Sequence, residues 1–222
     1  MQNKPLMGIK NALVMIQRSM RHDLRSIDAL VMAIVLPVMI LVLFTIVFGG
    51  AIHTGMHYID YVIPGIFLLC VGFGTASTAT SVCSDAATGL MDRFRSLPIS
   101  SASVLTGHVV ASIARNTVAM VVVILLAIVF GFRPHADFLA WLGAFGILWL
   151  LMLALTWAAA AFGLLVKNVE AAGSFAFTTM LLPYLSSGFV PIDTLPKWIQ
   201  GFAYNQPMTH IVEALRSLLL GG

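Results

Sequence analysis

Charged residues are scarce in this chain. They make up 9% of its 222 residues, whereas 59% are hydrophobic and the mean hydropathy is +0.97. A soluble domain usually carries about 25% charged residues, so this composition excludes a soluble globular protein and predicts an integral membrane protein. Cysteine is equally rare, since Cys70 and Cys83 are the only two. This argues against a disulfide framework, and we interpret both as small buried hydrophobic residues.

Several motifs that carry chemistry are also missing. The chain has no Gly-x-x-x-x-Gly-Lys-Ser/Thr phosphate loop, no His-Glu-x-x-His, no Gly-x-Ser-x-Gly and no Cys-x-x-Cys. Its six histidines are scattered, and only His53 and His57 share helical spacing, with no third ligand nearby. We therefore expect no catalytic residues, no metal site and no cofactor on this chain. The net charge of +3 lies mostly near the N-terminus, which indicates contact with a membrane surface rather than with nucleic acid.

What the sequence does contain is a series of apolar runs. A helix needs about 20 residues to cross the roughly 30 Å apolar core of a bilayer. Five runs approach or exceed that length, and they cover residues 29–50, 61–82, 104–132, 138–166 and 171–185. The pattern predicts an all-α membrane protein in which residues 1–222 form a single transmembrane domain with five spans.

The N-terminal segment 4–27 has apolar residues at alternating steps of three and four, with basic residues on its other faces. This pattern predicts an interfacial amphipathic helix in which Arg18, Arg21 and Arg25 meet lipid head groups. A transit peptide or signal peptide fits less well, because the segment leads directly into a full span without a cleavage site. Placing the N-terminus in the cytoplasm puts most basic loop residues on that side, as the positive-inside rule requires. We therefore predict a multi-pass protein of the plasma membrane, the inner membrane in a bacterium.

The segment 83–103 is the one long polar interruption among the apolar runs, and this orientation makes it cytoplasmic. Leu90, Met91, Phe94 and Leu97 fall at helical spacing within it, which predicts a short amphipathic helix at the membrane surface. Pro98 is expected to end that helix, because proline lacks a backbone N–H and restricts the residue before it.

Residues 190–220 predict two short amphipathic helices on the outer side of the membrane. Asp193 or Thr194 is expected to cap the first, and Pro207 to open the second. Three placements fit the pattern: a dip into the outer leaflet, a lid over an exit path, or ordinary surface helices resting on lipid.

Few polar residues interrupt the apolar runs. Arg115 is the one strong charge within them, and an intramembrane charge is a functional candidate by default. We expect it to lie only a few turns deep and to snorkel to lipid phosphates, with His108 similarly placed and structural. Thr75, Thr78 and Thr80 could line a substrate path, but bonding of their hydroxyls to their own helix is the favoured interpretation.

Three sequence blocks occur in a recognisable order. They are Tyr58-Ile59-Asp60-Tyr61-Val62-Ile63-Pro64-Gly65-Ile66, Asp85-x-x-x-Gly89-x-x-Asp92-Arg93-Phe94-Arg95-Ser96-Leu97-Pro98-Ile99-Ser100, and Phe189-Val190-Pro191 through Leu195-Pro196-Lys197-Trp198-Ile199 to Asn205-Gln206-Pro207-Met208. In this order they resemble the type-2 ABC transporter permeases (ABC-2 membrane subunits), specifically the daunorubicin-resistance branch of drug and lipid exporters.

The resemblance implies the membrane-spanning permease subunit of an ATP-driven ABC exporter of a drug-like or lipid-like amphipathic substrate. It implies a separate ABC ATPase that holds ATP and Mg, and a permease homodimer or heterodimer in membrane lipid. The residues that it assigns to ATPase coupling are Asp85, Thr88, Gly89, Met91, Asp92, Arg93, Phe94, Arg95, Leu97 and Pro98. Those that it assigns to the extracytoplasmic motif are Phe189, Pro191, Leu195, Pro196, Trp198, Asn205 and Pro207.

The resembled family has six spans, so we expect that the sixth is missing here and that a longer version exists in which another apolar run follows.

The competing function is a secondary transporter or channel without an ATPase partner. Such a protein would usually need intramembrane Asp, Glu or His for ion coupling, and the apolar cores contain none.

Overall fold

A computed structural model describes residues 27–50, 52, 55–88 and 101–221 of the chain. The regular elements within these ranges are helices, without a strand among them. In chain order they are α1 (Ile27–Val42), a π-helix (Leu43–Phe48), α2 (Tyr58–Ala87), α3 (Ser101–Val129), α4 (Phe138–Leu165), α5 (Val169–Gly173), α6 (Phe175–Tyr184), a 3₁₀ turn (Ile192–Thr194), α7 (Lys197–Asn205) and α8 (Pro207–Leu220). The predicted all-α architecture is confirmed for this part of the chain.

Three of the described helices are long and apolar enough to cross a membrane, judged by length and composition. They are α2, the part Leu105–Val129 of α3, and α4, which coincide with the second, third and fourth predicted spans. The first run is helical as well, since α1 continues into the π-helix as far as Phe48.

The helix α2 lies at the centre of the bundle. It contacts α1, α3, α4, α5, α6 and α8. Each of the three long helices contains an apolar 18-residue stretch. The rest of the chain buries 89% of the residues of this stretch in α2, 39% in α3 and 17% in α4. The outer faces of α3 and α4 are therefore those available to lipid or to another protein.

Close packing around α2 depends on small residues. Gly163 of α4 lies against the backbone of Ala79 in α2, and Gly72 of α2 lies against Thr179 of α6. Helices that associate in lipid gain from such close approach, because lipid supplies no hydrophobic force to drive them together. At these contacts, small residues let α2 approach α4 and α6 closely.

The fifth run is broken rather than continuous. It forms α5 and α6, separated at Ser174, whose hydroxyl donates a 2.7 Å hydrogen bond to the Ala171 carbonyl. The pair Gly173-Ser174 accounts for the break, since glycine and serine weaken a helix and offer local bonding that competes with it. The side chain of Asn168 accepts from the Ala171 N–H at 2.7 Å and sets the helix start two residues earlier than predicted.

The segment after α6 differs from prediction at its first cap. Neither Asp193 nor Thr194 caps α7, because the N-cap position is held by Pro196. The Thr194 hydroxyl instead donates to the Pro191 carbonyl at 2.6 Å. Pro207 does open α8 as predicted, since it stands in the first turn, where its missing N–H leaves no bond unmade.

The apolar stripe of α8 is covered by the chain itself. Its buried residues include Met208, Val212, Leu215 and Leu219, and the helix contacts α4, α2 and α6. Neighbouring helices of the same chain therefore cover this stripe, and the placement of α7 and α8 relative to the membrane stays a prediction. In α7, by contrast, Trp198 is 82% exposed.

Candidate functional site

The base of the predicted coupling loop is held by an ionisable pair. Asp85, in the last turn of α2, lies with its Oδ2 atom 3.1 Å from Nε2 of His108 in the second turn of α3. Thr88 ends α2 locally, since its exposed hydroxyl bonds the carbonyls of Ser84 and Asp85 at 3.0 and 3.2 Å. The two helices that flank the loop are therefore joined where the loop begins and ends.

The other predicted coupling residues lie outside the described residues. They are Gly89, Met91, Asp92, Arg93, Phe94, Arg95, Leu97 and Pro98. The same holds for the predicted interfacial helix up to residue 26, with Arg18, Arg21 and Arg25.

Arg115 points into the bundle rather than towards lipid phosphates. Its side chain is buried, and Nη2 donates to the Gly74 carbonyl at 3.0 Å and to the Ser77 hydroxyl. The prediction that it snorkels is therefore wrong. The physical reason is that α2 presents a carbonyl and a hydroxyl within reach of Nη2, and charge-assisted hydrogen bonds to these acceptors hold the guanidinium inside the bundle.

Two further polar residues of α3 meet α2 beside Arg115. The Ser112 hydroxyl lies 3.4 Å from the Gly74 carbonyl. Asn116 is fully buried, and its Oδ1 occupies the space that a side chain on Gly74 would need, 1.3 Å from an ideal Cβ position. The missing side chain of Gly74 therefore leaves the space on α2 that Asn116 fills.

Two of the three threonines singled out in α2, Thr75 and Thr80, bond their own helix, as favoured from sequence. Thr75 donates to the Val71 carbonyl at 2.8 Å, and Thr80 donates to the Ser77 carbonyl at 2.9 Å. A serine or threonine bonded in this way offers little to a substrate.

At the opposite end of the bundle, Phe189 of the predicted extracytoplasmic motif is an anchor. It is 2% exposed, and its ring centroid lies 4.9 Å from that of Phe44 and 4.8 Å from that of Tyr184. Its carbonyl accepts a 2.9 Å hydrogen bond from the Tyr58 hydroxyl. The turn after α6 is thus attached to the π-helix and to the first residue of α2.

Arg216 of α8 reinforces this attachment. Its Nη2 donates to the Ser187 carbonyl at 2.8 Å and to the Tyr61 carbonyl at 3.1 Å, and its Cζ atom lies 4.0 Å from the centroid of the Tyr61 ring. A cation over an aromatic face is attracted by the ring quadrupole. One half-buried arginine therefore joins three separate segments of the chain.

The remaining motif residues shape the surface beyond this anchor. Pro191 precedes the 3₁₀ turn, the Leu195 carbonyl accepts from Gln200 at 2.8 Å, and Asn205 donates to the Gly201 carbonyl at 2.7 Å. These bonds are local, and they stabilise turns rather than create a pocket.

Tyr204 in α7 has an altered acidity. Its hydroxyl donates a 2.6 Å hydrogen bond to Oδ1 of Asp193. This bond, together with the negative charge of the carboxylate, raises the pKa of the Tyr204 phenol above its ordinary value.

Sequence reasoning missed two of the arrangements above. It treated His108 as structural and did not single out Arg216, because neither lies in a recognisable motif. The available signal for α3 was that His108, Ser112, Arg115 and Asn116 recur at steps of four, three and one, which place them on one helical face. The signal for Arg216 was weaker, since its partners lie 29 and 155 residues away in sequence.

Both cysteines are buried and unpaired, as predicted. In the described ranges no three His, Cys, Asp or Glu residues are grouped so that they could hold a metal ion. The arrangement as a whole is a helical bundle in which polar contacts join separate helices and turns.

Comparisons with known proteins agree with this description. The sequence profile of the family described as "ABC-2 type transporter" matches residues 10–220. A daunorubicin resistance ABC transporter permease protein of Streptomyces coeruleorubidus is 31% identical over 190 residues, which are 85% of this chain and 67% of the relative. A probable doxorubicin resistance ABC transporter permease protein of Mycobacterium tuberculosis is 27% identical over all of this chain and 81% of its own length. An ABC transporter G family member of Dictyostelium discoideum is 27% identical over 74% of this chain but only 23% of its own length.

Proposed function

Because this chain belongs to the ABC-2 type transporter family, we propose that it is the membrane-spanning permease subunit of an ATP-driven exporter. Its similarity to resistance permeases along most of its length carries this proposal. Three helices suited to crossing a membrane support it. Hydrolysis of Mg·ATP belongs to a separate ABC ATPase, since the sequence has no phosphate loop of its own.

The segment 83–103 is the contact for that ATPase. It joins α2 to α3, so a force applied to it reaches the most buried helix of the bundle directly. Arg93, Arg95, Asp85 and Asp92 supply charges of both signs, which steer and orient a protein partner. The N-terminal helix, with Arg18, Arg21 and Arg25, lies along anionic lipid on the same side.

In the orientation that we propose, the N-terminus and this loop face the cytoplasm of the plasma membrane. The turn after α6, with α7 and α8, then faces outward. The exposed tryptophan of α7, Trp198, suits the membrane–water interface, where an indole finds both apolar and polar surroundings.

Two permeases form the working unit in this proposal, and the path for substrate lies between them. The faces of α3 and α4 that the chain leaves uncovered carry large apolar side chains, among them Val121, Leu125, Leu142 and Leu150. Such faces suit lipid or a second permease. Closure of the paired ATPases would tilt the helices and open the path outward.

The substrate class is an amphipathic drug-like or lipid-like molecule. This inference comes from the relatives, which are named for resistance to daunorubicin and doxorubicin.

The test is purification of the native complex through a tag on this chain, followed by reconstitution into vesicles. An ABC ATPase should co-purify, and daunorubicin or a fluorescent short-chain phospholipid should move only when Mg·ATP is present. Movement driven by an ion gradient without ATP would establish the secondary transporter instead. Passive ion conductance would establish a channel.

A further inference from the structure

One face of α3 is polar where it meets α2, although both helices lie among apolar surroundings. Four contacts follow each other along this face, and we name them the α2–α3 seam. They join His108 to Asp85, Ser112 to the Gly74 carbonyl, Arg115 to the Gly74 carbonyl and Ser77 hydroxyl, and Asn116 to the open face of Gly74.

We propose that the α2–α3 seam holds the two helices together as one rigid hairpin, with Arg115 as its positioning residue. A displacement of the loop 89–100 then moves both helices together within the membrane. This inference rests on the proposed function, because it needs a partner that moves the loop. It goes further by assigning a role to Ser77, Ser112, Arg115 and Asn116, which lie outside the segment 83–103 that contacts the ATPase.

The register of the seam is fixed at a single position. The guanidinium of Arg115 needs acceptors when it leaves water, and Gly74 and Ser77 supply them at one depth. Sliding of α3 by one turn, about 5.4 Å, would carry the charge away from both acceptors. It would also press Asn116 against residues that, unlike Gly74, carry a side chain.

The seam extends to the base of the loop. Asp85 lies eight residues beyond Ser77 on α2, which is about 12 Å along a helix. Contacts at both places oppose sliding and also oppose opening of the hairpin at the end where force is applied. A pair joined at only one point would resist neither motion fully.

A different role for Arg115 would be direct binding of an anionic group on the substrate. The geometry favours the positioning role, because Nη2 is occupied by two acceptors from α2 and the side chain is 7% exposed. The two roles predict different kinetics, and the test below separates them.

The first experiment compares Arg115→Gln, Ser77→Ala and the control Thr117→Val in the reconstituted complex. Thr117 lies on α3 but bonds Ile113 and Trp149 instead of α2. For Arg115→Gln the ATPase should still co-purify and the KM for substrate should stay unchanged. The number of substrate molecules moved per ATP should fall about tenfold, which is the effect of losing one charge-assisted hydrogen bond. Ser77→Ala should give a smaller loss, and Thr117→Val none.

The second experiment replaces the seam by a covalent link. The background is Cys70→Ala, Cys83→Ala, which removes the native thiols. Gly74→Cys and Asn116→Cys then introduce a pair that can form a disulfide, because the two positions face each other: an ideal Cβ on residue 74 would stand 2.2 Å from the Asn116 Cγ. With Arg115→Gln added, the oxidised protein should regain transport per ATP, and dithiothreitol should remove it again. This comparison decides the matter even if Arg115→Gln alone inserts poorly, because both states come from one preparation.

Three results would overturn the proposal. They are unchanged transport per ATP in Arg115→Gln, a rise in KM without a change in coupling, and abolition of transport by the oxidised link, which would mean that α2 and α3 must slide. A wild-type complex that moves nothing with Mg·ATP would instead refute the proposed function.

Discussion

The backbone of Gly163 in α4 meets the backbone of Ala79 in α2 so closely that a Cβ atom on residue 163 would stand 2.4 Å from the Ala79 carbonyl oxygen. Real Cβ atoms do not approach an oxygen to this distance. Since the obstacle is backbone rather than a flexible side chain, only separation of the two helices could make room.

Gly163→Ala should therefore destabilise the bundle by about 2 kcal/mol, as expected for overpacking in a filled interior. Thermal unfolding of the protein in detergent would measure this loss. Gly146→Ala is the matched control, because Gly146 lies in the same helix and a Cβ there meets nothing within 4 Å. Equal stability of the two variants would contradict the packing described for α2 and α4.

Arg216→Gln should loosen the turn after α6. The change removes a cation from the Tyr61 ring and a charged donor from the carbonyls of Tyr61 and Ser187, so we expect a loss of about 2 kcal/mol. Faster hydrogen exchange in residues 185–191 would locate the effect.

Arg133→Gln serves as the control for this prediction. Arg133 is exposed in the connection between α3 and α4, where its backbone N–H, not its side chain, bonds Asp60 at 3.3 Å. If both variants exchange like the wild type, Arg216 does not hold the turn.

Asp193→Asn should lower the pKa of Tyr204 towards its ordinary value of about 10. The Asp193 carboxylate favours the protonated Tyr204 phenol, so the bond between them contributes fully to folding stability at a pH below the pKa of Tyr204 in the unfolded chain. This contribution is lost as the pH rises through the higher pKa that Tyr204 has in the folded chain. Tyrosinate absorbance, taken as a difference from Tyr204→Phe, would follow the titration. If Tyr204 ionises at the same pH in the wild type and in Asp193→Asn, the bond to Asp193 has no influence on the pKa of Tyr204.

The double reversal Arg93→Glu, Arg95→Glu should leave membrane insertion intact but uncouple the ATPase. Transport should fall at least about tenfold, since reversal turns attractive charge pairs at an interface into repulsive ones. Lys197→Glu is a control in the opposite segment of the chain and should transport normally. Wild-type transport in the double variant would refute the assignment, and failed insertion would show that the arginines act as topology signals.

The sequence predicts much of this fold because the membrane imposes a simple rule. A long apolar run must be helical in lipid, where every backbone group needs an internal partner, and α2, α3 and α4 follow that rule closely. The break at Ser174 was missed because the bonding of one hydroxyl decides it, while the surrounding residues remain apolar.

The polar contacts were harder to predict, because hydropathy gives a residue's preference for lipid but not its partner. Arg115 fits either snorkelling or burial until the carbonyl of Gly74 is known to face it. Arg216 likewise depends on Tyr61, which lies 155 residues away. The sequence therefore indicated that Arg115 deserved notice, but not that its partners are Gly74 and Ser77 of α2.

The central position of α2 has a consequence for biosynthesis. A ribosome completes α2 before it makes α4, α6 and α8, so for part of the protein's assembly α2 must stand in the bilayer without the partners that later cover it. Its apolar length keeps it there, while the surfaces around Gly72 and Ala79 have not yet met the helices that pack on them. A quality-control factor that recognises an incompletely packed helix would find its target on α2 for as long as residues 138–220 are still unmade.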